Sequence, residues 1–170
     1  FTPSNPDVPI MDASLESEVP SSIEVLKTHI FEPSRVLAKF LKKSASGRIG
    51  ASSADKPSKH SLLGSLSLWV RGNMFIPDAR VKWVKPSISY LTKWISENPV
   101  DAIITTGPPH SMHLIGLGLK KKFKNIQWVA DFRDPWSDMD YLSEFKMSKR
   151  SMIKLVQMEK EVATSADKII

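Results

Sequence analysis

The sequence contains no cysteine. Disulfides, thiolate zinc sites and a cysteine nucleophile are therefore excluded, and a chain without thiols fits a reducing compartment. The sequence also has no apolar run of about 18 residues, the length at which a membrane-spanning helix is predicted, and its N-terminal residues do not show the pattern of a signal peptide. We therefore expect a cytoplasmic protein, and any membrane contact would be peripheral, at the inner face.

No nucleic-acid-reading module is recognisable either, although the net charge is +6. The positive charge is concentrated in two clusters, which an acidic stretch separates. These clusters are Lys120, Lys121, Lys122 and Lys124, and Lys146, Lys149, Arg150 and Lys154. Nucleic-acid proteins interleave such charges with aromatic side chains, which is not seen here. Two interpretations stay open: solvated helix ends and faces, or a basic surface facing anionic lipid head groups. Nucleic acid is not an expected partner.

The length of 170 residues allows one domain, 1–170, and the hydrophobic fraction of 41% is ordinary for a globular protein. The chain starts with Phe1 and stops in an apolar run, "ADKII". We interpret it as a fragment of a longer protein. Residues 1–22 are rich in Pro, Ser and acidic residues, which predicts a surface segment, and the small polar residues of 44–60 predict a mobile loop.

The remaining patterns alternate between strands and helices. Strands are predicted at 23–30, 100–106, 126–130 and 168–170. Helices are predicted at 61–74, 77–98 (interrupted at Pro86), 111–122 and 148–165. The predicted buried anchors are Ile23, Val25, Ile30, Leu62, Leu66, Trp69, Val70, Ile88, Leu91, Trp94, Ile95, Ile115, Leu119, Met152, Leu155, Met158 and Val162. The run at 100–106 is continuously apolar, which is typical of a strand covered on both faces.

The order strand, helix, strand, helix, strand predicts an α/β fold, Rossmann-like and open, with a mainly parallel sheet and helices on both faces. Ligands of such sheets bind beyond the carboxyl ends of the strands. Gly107 would let a ligand approach the backbone there, and Pro108 and Pro109 would stiffen the loop. Ser111 is the predicted N-cap of a helix whose free N–H groups suit an anion. Inside that helix, Gly116 and Gly118 predict close packing against the sheet.

Three stretches, "NMFIPDARVKWVKPS", "DAIITTGPPHSMHLIGL" and "WVADFRDPWSD", strongly resemble the N-terminal domain of bacterial family 4 retaining glycosyltransferases. The resemblance covers roughly residues 20–170. It implies half of a GT-B fold, in which two Rossmann-like domains face each other across a cleft. The N-terminal domain receives the acceptor and the C-terminal domain binds the nucleotide-sugar. No metal and no other cofactor is expected.

The sequence departs from that family in two respects. The opening strand with its Gly-rich loop is missing, and so is the donor domain with its paired glutamates. We therefore expect this chain to be inactive by itself and to meet the nucleotide-sugar mainly through the absent domain. The missing strand should also leave a gap between the strand at 23–30 and the strand at 100–106.

His110 and His113 have a spacing that could present two imidazoles to a metal, but no third ligand follows at a set spacing. His110 is a candidate catalytic residue that lines the loop, with a structural capping role as the alternative. His113 is predicted to be packed or partly exposed.

The second strand end carries Asp131, Arg133, Asp134 and Trp136. These residues could form a local salt-bridge network that holds the turn. Alternatively, Asp131, a candidate catalytic residue by the resemblance, or Asp134 would bind acceptor hydroxyls while Arg133 meets the diphosphate. Trp136 would stack on a sugar or anchor the loop. Arg80 would line the acceptor side or be an exposed helix charge.

The resulting hypothesis is the acceptor-binding domain of a hexosyltransferase-type enzyme that builds a cell-surface polysaccharide or glycolipid. Its partners would be a nucleotide-sugar donor and a sugar or lipid-linked acceptor. The alternative is a non-catalytic α/β module that binds a ligand or a partner through the two loops.

Overall fold

The computed structural model describes residues 1–6, 12–31 and 62–170, and these residues form an α/β structure with parallel sheets. Its helices are α1 (Leu62–Met74), α2 (Val81–Glu97), α3 (Ser111–Lys122) and α4 (Lys149–Ser165). Its strands are β1 (Thr2–Pro3), β2 (Lys27–Thr28), β3 (Ala102–Gly107), β4 (Gln127–Phe132) and β5 (Lys168–Ile169). Two 3₁₀ helices span Ala13–Glu18 and Asp140–Phe145. The loop predicted at 44–60 lies outside the described residues.

Strands β3, β4 and β5 form a three-stranded parallel sheet in the order β3-β4-β5. Ala102 is in register with Gln127, and Gly107 with Phe132, so both long strands end at the same edge. This confirms the predicted strands at 100–106, 126–130 and 168–170 and their parallel direction. Strands β1 and β2 pair with each other in a separate sheet, so the predicted strand at 23–30 is reduced to two residues and does not pair with β3 in the described chain.

The two faces of the larger sheet differ. The covered face is formed by Ile103, Thr105, Gly107, Trp128, Ala130 and Phe132, and the open face by Ala102, Ile104, Thr106, Gln127, Val129 and Asp131. Trp128 and Ala130 are fully buried, whereas Ile104 is 71% exposed. Helices α2, α3 and α4 all contribute to clusters that include covered-face residues. For the described residues, the expectations that 100–106 is covered on both faces and that helices lie on both faces of the sheet are therefore wrong, because the helices pack on one face.

Helix α3 is pressed against the covered face at Gly116. A Cβ at this position would lie 2.5 Å from Trp128 Nε1 and 2.8 Å from Thr105 Cγ2, which confirms close packing on the sheet. Gly118 instead faces Ile88 of α2. The second glycine therefore serves helix–helix contact, and its predicted contact with the sheet is wrong.

The N-terminal residues are more involved in packing than a surface segment would be. Phe1 stacks on Trp83 with the ring centroids 5.0 Å apart, and Asn5 binds both backbone groups of Ile30 through its side-chain amide. Ile30 is buried as predicted, but Ile23 and Val25 are exposed. The predicted strand therefore reaches the core through Leu26 and Ile30 and not through Ile23 and Val25.

Helix α1 lies in the predicted place but buries a different side from the predicted one. Leu66 is 58% exposed and Trp69 45% exposed. The close contact is at Gly72, where a Cβ would lie 2.7 Å from the Cβ of Phe145. Helix α1 therefore meets the second 3₁₀ helix through its glycine side.

The other two predicted helices need smaller corrections. Helix α2 begins at Val81, not at 77, and it is a single helix through Pro86, so the predicted interruption there is wrong. Its buried residues include Leu91 and Ile95 as predicted. Helix α4 buries Leu155 and Val162 as predicted. No helix in the described ranges has the length and apolar character needed to cross a membrane.

Candidate functional site

A cavity of about 320 Å³ lies beside the carboxyl ends of β3 and β4. Its walls come from α1, from the loop before α2, from the loops after β3 and β4 and from the second 3₁₀ helix. The lining residues are Arg71, Gly72, Phe75, Pro77, Asp78, His110, Trp136, Leu142, Phe145 and Met147. A more open hollow of about 370 Å³ shares Leu142 and Met147 with it. Most of the cavity wall is apolar, and two polar side chains, Asp78 and His110, stand on its strand-end side.

Asp78 caps helix α3 from a distant part of the chain. Its Oδ2 accepts a hydrogen bond from the backbone N–H of Ser111 at 2.7 Å, and its Oδ1 accepts one from Ser111 Oγ, also at 2.7 Å. The N-cap position itself is His110, and Ser111 is the first helical residue, so Ser111 is not the N-cap. The next two N–H groups, of Met112 and His113, donate to the carbonyls of Pro109 and His110. The expected free N–H groups for an anion are therefore already occupied.

His110 is buried at the cavity wall, with 5% of its surface exposed. Its ring stacks on Trp136 with the centroids 4.9 Å apart, and neither ring nitrogen forms a hydrogen bond within the described residues. Burial lowers the pKa of His110, and the negative charges of Asp78, Glu159 and Asp134 oppose this shift. At neutral pH, His110 is therefore an uncharged imidazole, able both to donate and to accept a hydrogen bond.

His113 lies behind His110 and is completely buried. Its Nδ1 is 2.9 Å from Thr105 Oγ1, and its ring stacks on Phe132 at 4.7 Å. Burial, with the neighbouring His110 as a smaller cause, lowers the pKa of His113 to about 4, against an opposing effect of Asp131. The packed interpretation of His113 is therefore confirmed. Among the described residues, no group of three or more metal-ligating side chains is arranged to hold an ion.

Trp136 is 1% exposed and anchors the loop after β4. Its ring packs against three others, those of His110, His113 and Phe132. Because these three rings cover the indole, the structure fits the interpretation of Trp136 as an anchor of the loop. It does not fit the interpretation in which Trp136 stacks on a sugar.

Arg133 ties the two strand-end loops together. Its Nε donates to the carbonyl of Gly107 at 3.1 Å and its Nη2 to the carbonyl of Pro108 at 3.2 Å. Within the described residues, the carboxylates of Asp131 and Asp134 form no hydrogen bond or ion pair, so the expected salt-bridge network is absent there. The guanidinium group is directed to backbone carbonyls instead.

Glu159 of α4 is a site residue that the sequence did not reveal. Its carboxylate accepts hydrogen bonds from the backbone N–H of Trp136 at 2.9 Å, from the N–H of Ser137 at 3.2 Å and from Ser137 Oγ. Nothing local marks it, because its partners lie more than 20 residues earlier in the chain. Asp78 lies within "IPDAR", a motif that could have pointed to it, but the sequence prediction names only Arg80 from that motif as a site residue.

The structure therefore brings together only part of the predicted site. The residues that meet at the two loops are Gly107, Pro108, Pro109, His110, Ser111, Arg133 and Trp136. Asp131 lies on the open face of the sheet, and Arg80 and Asp134 do not line the cavity. The charge of Asp134 nevertheless acts on His110, and that of Asp131 on His113.

Comparisons with protein-family models, curated proteins and solved structures give no match to this chain.

Proposed function

We propose that this chain is the acceptor-binding, N-terminal domain of a retaining glycosyltransferase with a GT-B fold. The complete enzyme would transfer a sugar from a nucleotide-sugar to a cell-surface polysaccharide or glycolipid. The three motifs support this proposal, as do the parallel α/β sheet and the position of the cavity, since open parallel sheets bind ligands at the carboxyl ends of their strands.

The observation that carries the proposal is the joining of the two strand-end loops by Arg133. Its bonds to Gly107 and Pro108 hold the loop that bears His110 next to the loop that bears Trp136. The cavity beside them offers an uncharged imidazole, Asp78 and Arg71 in a mostly apolar wall, a setting that orients a ligand with a few polar groups. An uncharged, hydroxyl-bearing acceptor fits this chemistry better than a phosphate does, because Asp78 already occupies the start of α3.

The other predicted site residues take supporting parts in the proposal. His110 would contact an acceptor hydroxyl from the cavity, and Asp131 would act from the edge of the open face. Arg133 would meet the donor diphosphate with the N–H groups that are not bound to carbonyls, and Asp134 and Arg80 would line the approach to the site. No metal or cofactor is part of this proposal.

A peripheral membrane contact at the cytoplasmic face belongs to the same proposal. Lys149, Arg150 and Lys154 are exposed on α4, close to the exposed apolar side chains of Ile153 and Val156. Basic and apolar side chains on one helix surface favour anionic lipid head groups.

The second candidate is a non-catalytic α/β module that binds a ligand or a partner. Its support is the separation of the two candidate catalytic residues, since Asp131 lies on the open face and His110 in the cavity. Turnover measurements distinguish the two candidates.

We expect His110→Ala and Asp131→Asn to lower the turnover of the full-length enzyme strongly. Loss of one aligned stabilising contact costs roughly 3 kcal/mol, or about a hundredfold in rate. Asp138→Asn is the matched control, because it removes an exposed carboxylate from the loop that follows β4. Near-normal turnover in both variants, or an effect equal to that of the control, would reject the catalytic assignment and favour the binding module.

The chain alone should bind nucleotide-sugars weakly or not at all, because the donor site would lie in the other domain. Calorimetric titration with several UDP- and GDP-sugars measures this. Submicromolar binding of any of them would overturn the acceptor-side assignment.

A further inference from the structure

A chain of buried polar atoms runs behind the cavity, from β4 through β3 to α3. The indole Nε1 of Trp128 is 3.0 Å from Thr105 Oγ1, and the same oxygen is 2.9 Å from His113 Nδ1. Trp128 and His113 are fully buried, and Thr105 is 5% exposed. Water therefore has little access to these groups, and each hydrogen has to find its acceptor within the protein.

The donor properties of the three side chains determine which atom donates in each of these hydrogen bonds. An indole N–H can only donate, so Thr105 Oγ1 accepts from Trp128. The hydroxyl hydrogen of Thr105 then needs an acceptor, and within the described residues that acceptor is His113 Nδ1. If Nδ1 carried the proton instead, the buried hydroxyl hydrogen and the lone pair of His113 Nε2 would both lack a partner within the described residues, whereas a proton on Nε2 leaves only that one N–H unpaired. His113 therefore holds its proton on Nε2.

The protonated nitrogen of His113 lies next to His110 at Gly107. A Cβ built on Gly107 would lie 2.5 Å from His113 Nε2 and 3.4 Å from His110 Nδ1, so both nitrogens border the same point. An N–H of His113 at this point favours a lone pair on His110 Nδ1, because the partial positive charges of two neighbouring N–H groups repel each other. The proton of His110 is then held on Nε2.

We propose that Trp128, Thr105 and His113 are positioning residues that fix His110 as a neutral imidazole with its proton on Nε2. His110 then carries on Nε2 a buried N–H that has no partner within the described residues, and an oxygen atom of a ligand that reaches this nitrogen from the cavity would pair it. The stacking of His110 on Trp136 at 4.9 Å holds the plane of the ring during this contact. The assignment of a sugar hydroxyl as that oxygen rests on the proposed function, whereas the tautomer does not.

Long-range ¹H–¹⁵N NMR of the labelled free chain tests the tautomers directly. We expect the wild-type spectrum at neutral pH to show a proton on Nε2 and a pyridine-type Nδ1 for both His113 and His110. A proton on Nδ1 of His113 in the wild-type chain would overturn the proposal without any variant.

Variants at Thr105 test whether its hydrogen bonds to Trp128 and His113 determine the tautomers of His113 and His110. Thr105→Val keeps the shape of the side chain but removes the hydroxyl, so the ring ¹⁵N shifts of His113 should move towards a tautomer mixture and those of His110 should follow. Thr105→Ser should restore the wild-type shifts. Thr106→Val is the matched control, because Thr106 is exposed on the open face.

Equal spectra for Thr105→Val and Thr106→Val would overturn the proposal that the hydrogen bonds from Trp128 through Thr105 to His113 fix the tautomers. A protein that shows the expected tautomers but binds no acceptor sugar and has no transferase activity would reject the proposed function alone. Conversely, an active enzyme whose His113 carries its proton on Nδ1 would reject only the proposed fixing of the tautomers.

Discussion

Ile103 and Ile104 are identical neighbours in β3, yet they have opposite environments. Ile103 packs against the two core clusters through the covered face, whereas Ile104 is 71% exposed on the open face. Trp128 and Gln127 in β4 repeat the contrast, with Trp128 fully buried and Gln127 exposed. Side-chain character alone does not decide burial in this sheet. The helices that pack on one face decide it.

The two faces also divide the candidate site. Thr105, Gly107 and Phe132 of the covered face contact His113, which borders His110. Asp131 belongs to the open face, and its carboxylate forms no hydrogen bond or ion pair within the described chain. Stability and the imidazole pair are therefore concentrated on one side of the sheet, and substitutions on the two sides should have very different effects.

The largest difference is expected between Trp128→Ala and Gln127→Ala. Removal of a buried tryptophan leaves a cavity and removes the hydrogen bond that the indole N–H donates to Thr105 Oγ1, so the free energy of unfolding should fall by about 3–5 kcal/mol. Gln127→Ala on the exposed side should change it by less than about 0.5 kcal/mol. Urea denaturation measures both values, and similar losses would contradict the division into two faces.

Acid should destabilise the covered side through His113. Its pKa in the folded chain is about 4, below the ordinary value of 6.5, so the unfolded chain binds the proton more tightly. Stability is therefore unaffected above about pH 6.5, falls as the pH drops towards 4 and levels off below that. The full effect corresponds to roughly 3 kcal/mol. The charged and titratable groups that act on His113 are His110, which supports the shift, and Asp131, which opposes it.

The pH dependence of unfolding should be compared in the wild-type chain, in His113→Gln and in the control His29→Gln. The part of the slope between pH 4 and 6.5 that is due to His113 should disappear only in the first variant. An unchanged slope in His113→Gln would show that other groups cause the acid sensitivity.

A smaller difference is expected between the two glycines of α3. Gly116→Ala brings a methyl group against Trp128 and Thr105 of the covered face, and such overpacking costs about 1–3 kcal/mol. Gly118→Ala meets the Cδ1 and Cγ1 atoms of the single side chain of Ile88, which a change of rotamer can move away, whereas two residues of the sheet oppose Gly116→Ala; the gain of about 1 kcal/mol in helix propensity is the same for both. If thermal unfolding shows equal losses, α3 packs less tightly on the sheet than the contacts at Gly116 indicate.

The smallest effect is expected for Ile104→Ala, with a change in unfolding free energy within about 0.5 kcal/mol. Ile103→Ala is its partner on the covered face and should cost about 2 kcal/mol. A loss for Ile104→Ala as large as that for Ile103→Ala would mean that the open face is covered in solution.

The sequence predicts well those helices and strands whose pattern lies within one continuous segment. The apolar runs at 100–106 and 126–130 and the spacing of Leu155 and Val162 led to the correct strands and helix, because each signal lies within one element. The predicted strand at 23–30 is reduced to two residues, and Ile23 and Val25 are exposed. The choice of the covered face depends on how whole helices dock, and no local pattern contains that information.

The candidate site shows the same division between local and distant information. The loop at Gly107–His110 and the loop of Arg133 and Trp136 were both predicted, because strand ends of parallel sheets collect polar residues. Asp78 and Glu159 hold those loops from 33 and 23 residues away in the sequence, and this distance hid them. The salt-bridge network was mispredicted because carbonyl groups, which every residue carries, compete for Arg133.

Asp78 gives the start of α3 a permanent internal occupant. Because this carboxylate is part of the same chain, its effective concentration at the N–H of Ser111 is far higher than that of a dissolved anion. A phosphate or carboxylate arriving from solution would have to displace it and would place a second negative charge beside it. The N–H of Ser111 is therefore already bound by a carboxylate of the same chain, and a dissolved anion would have to compete with it.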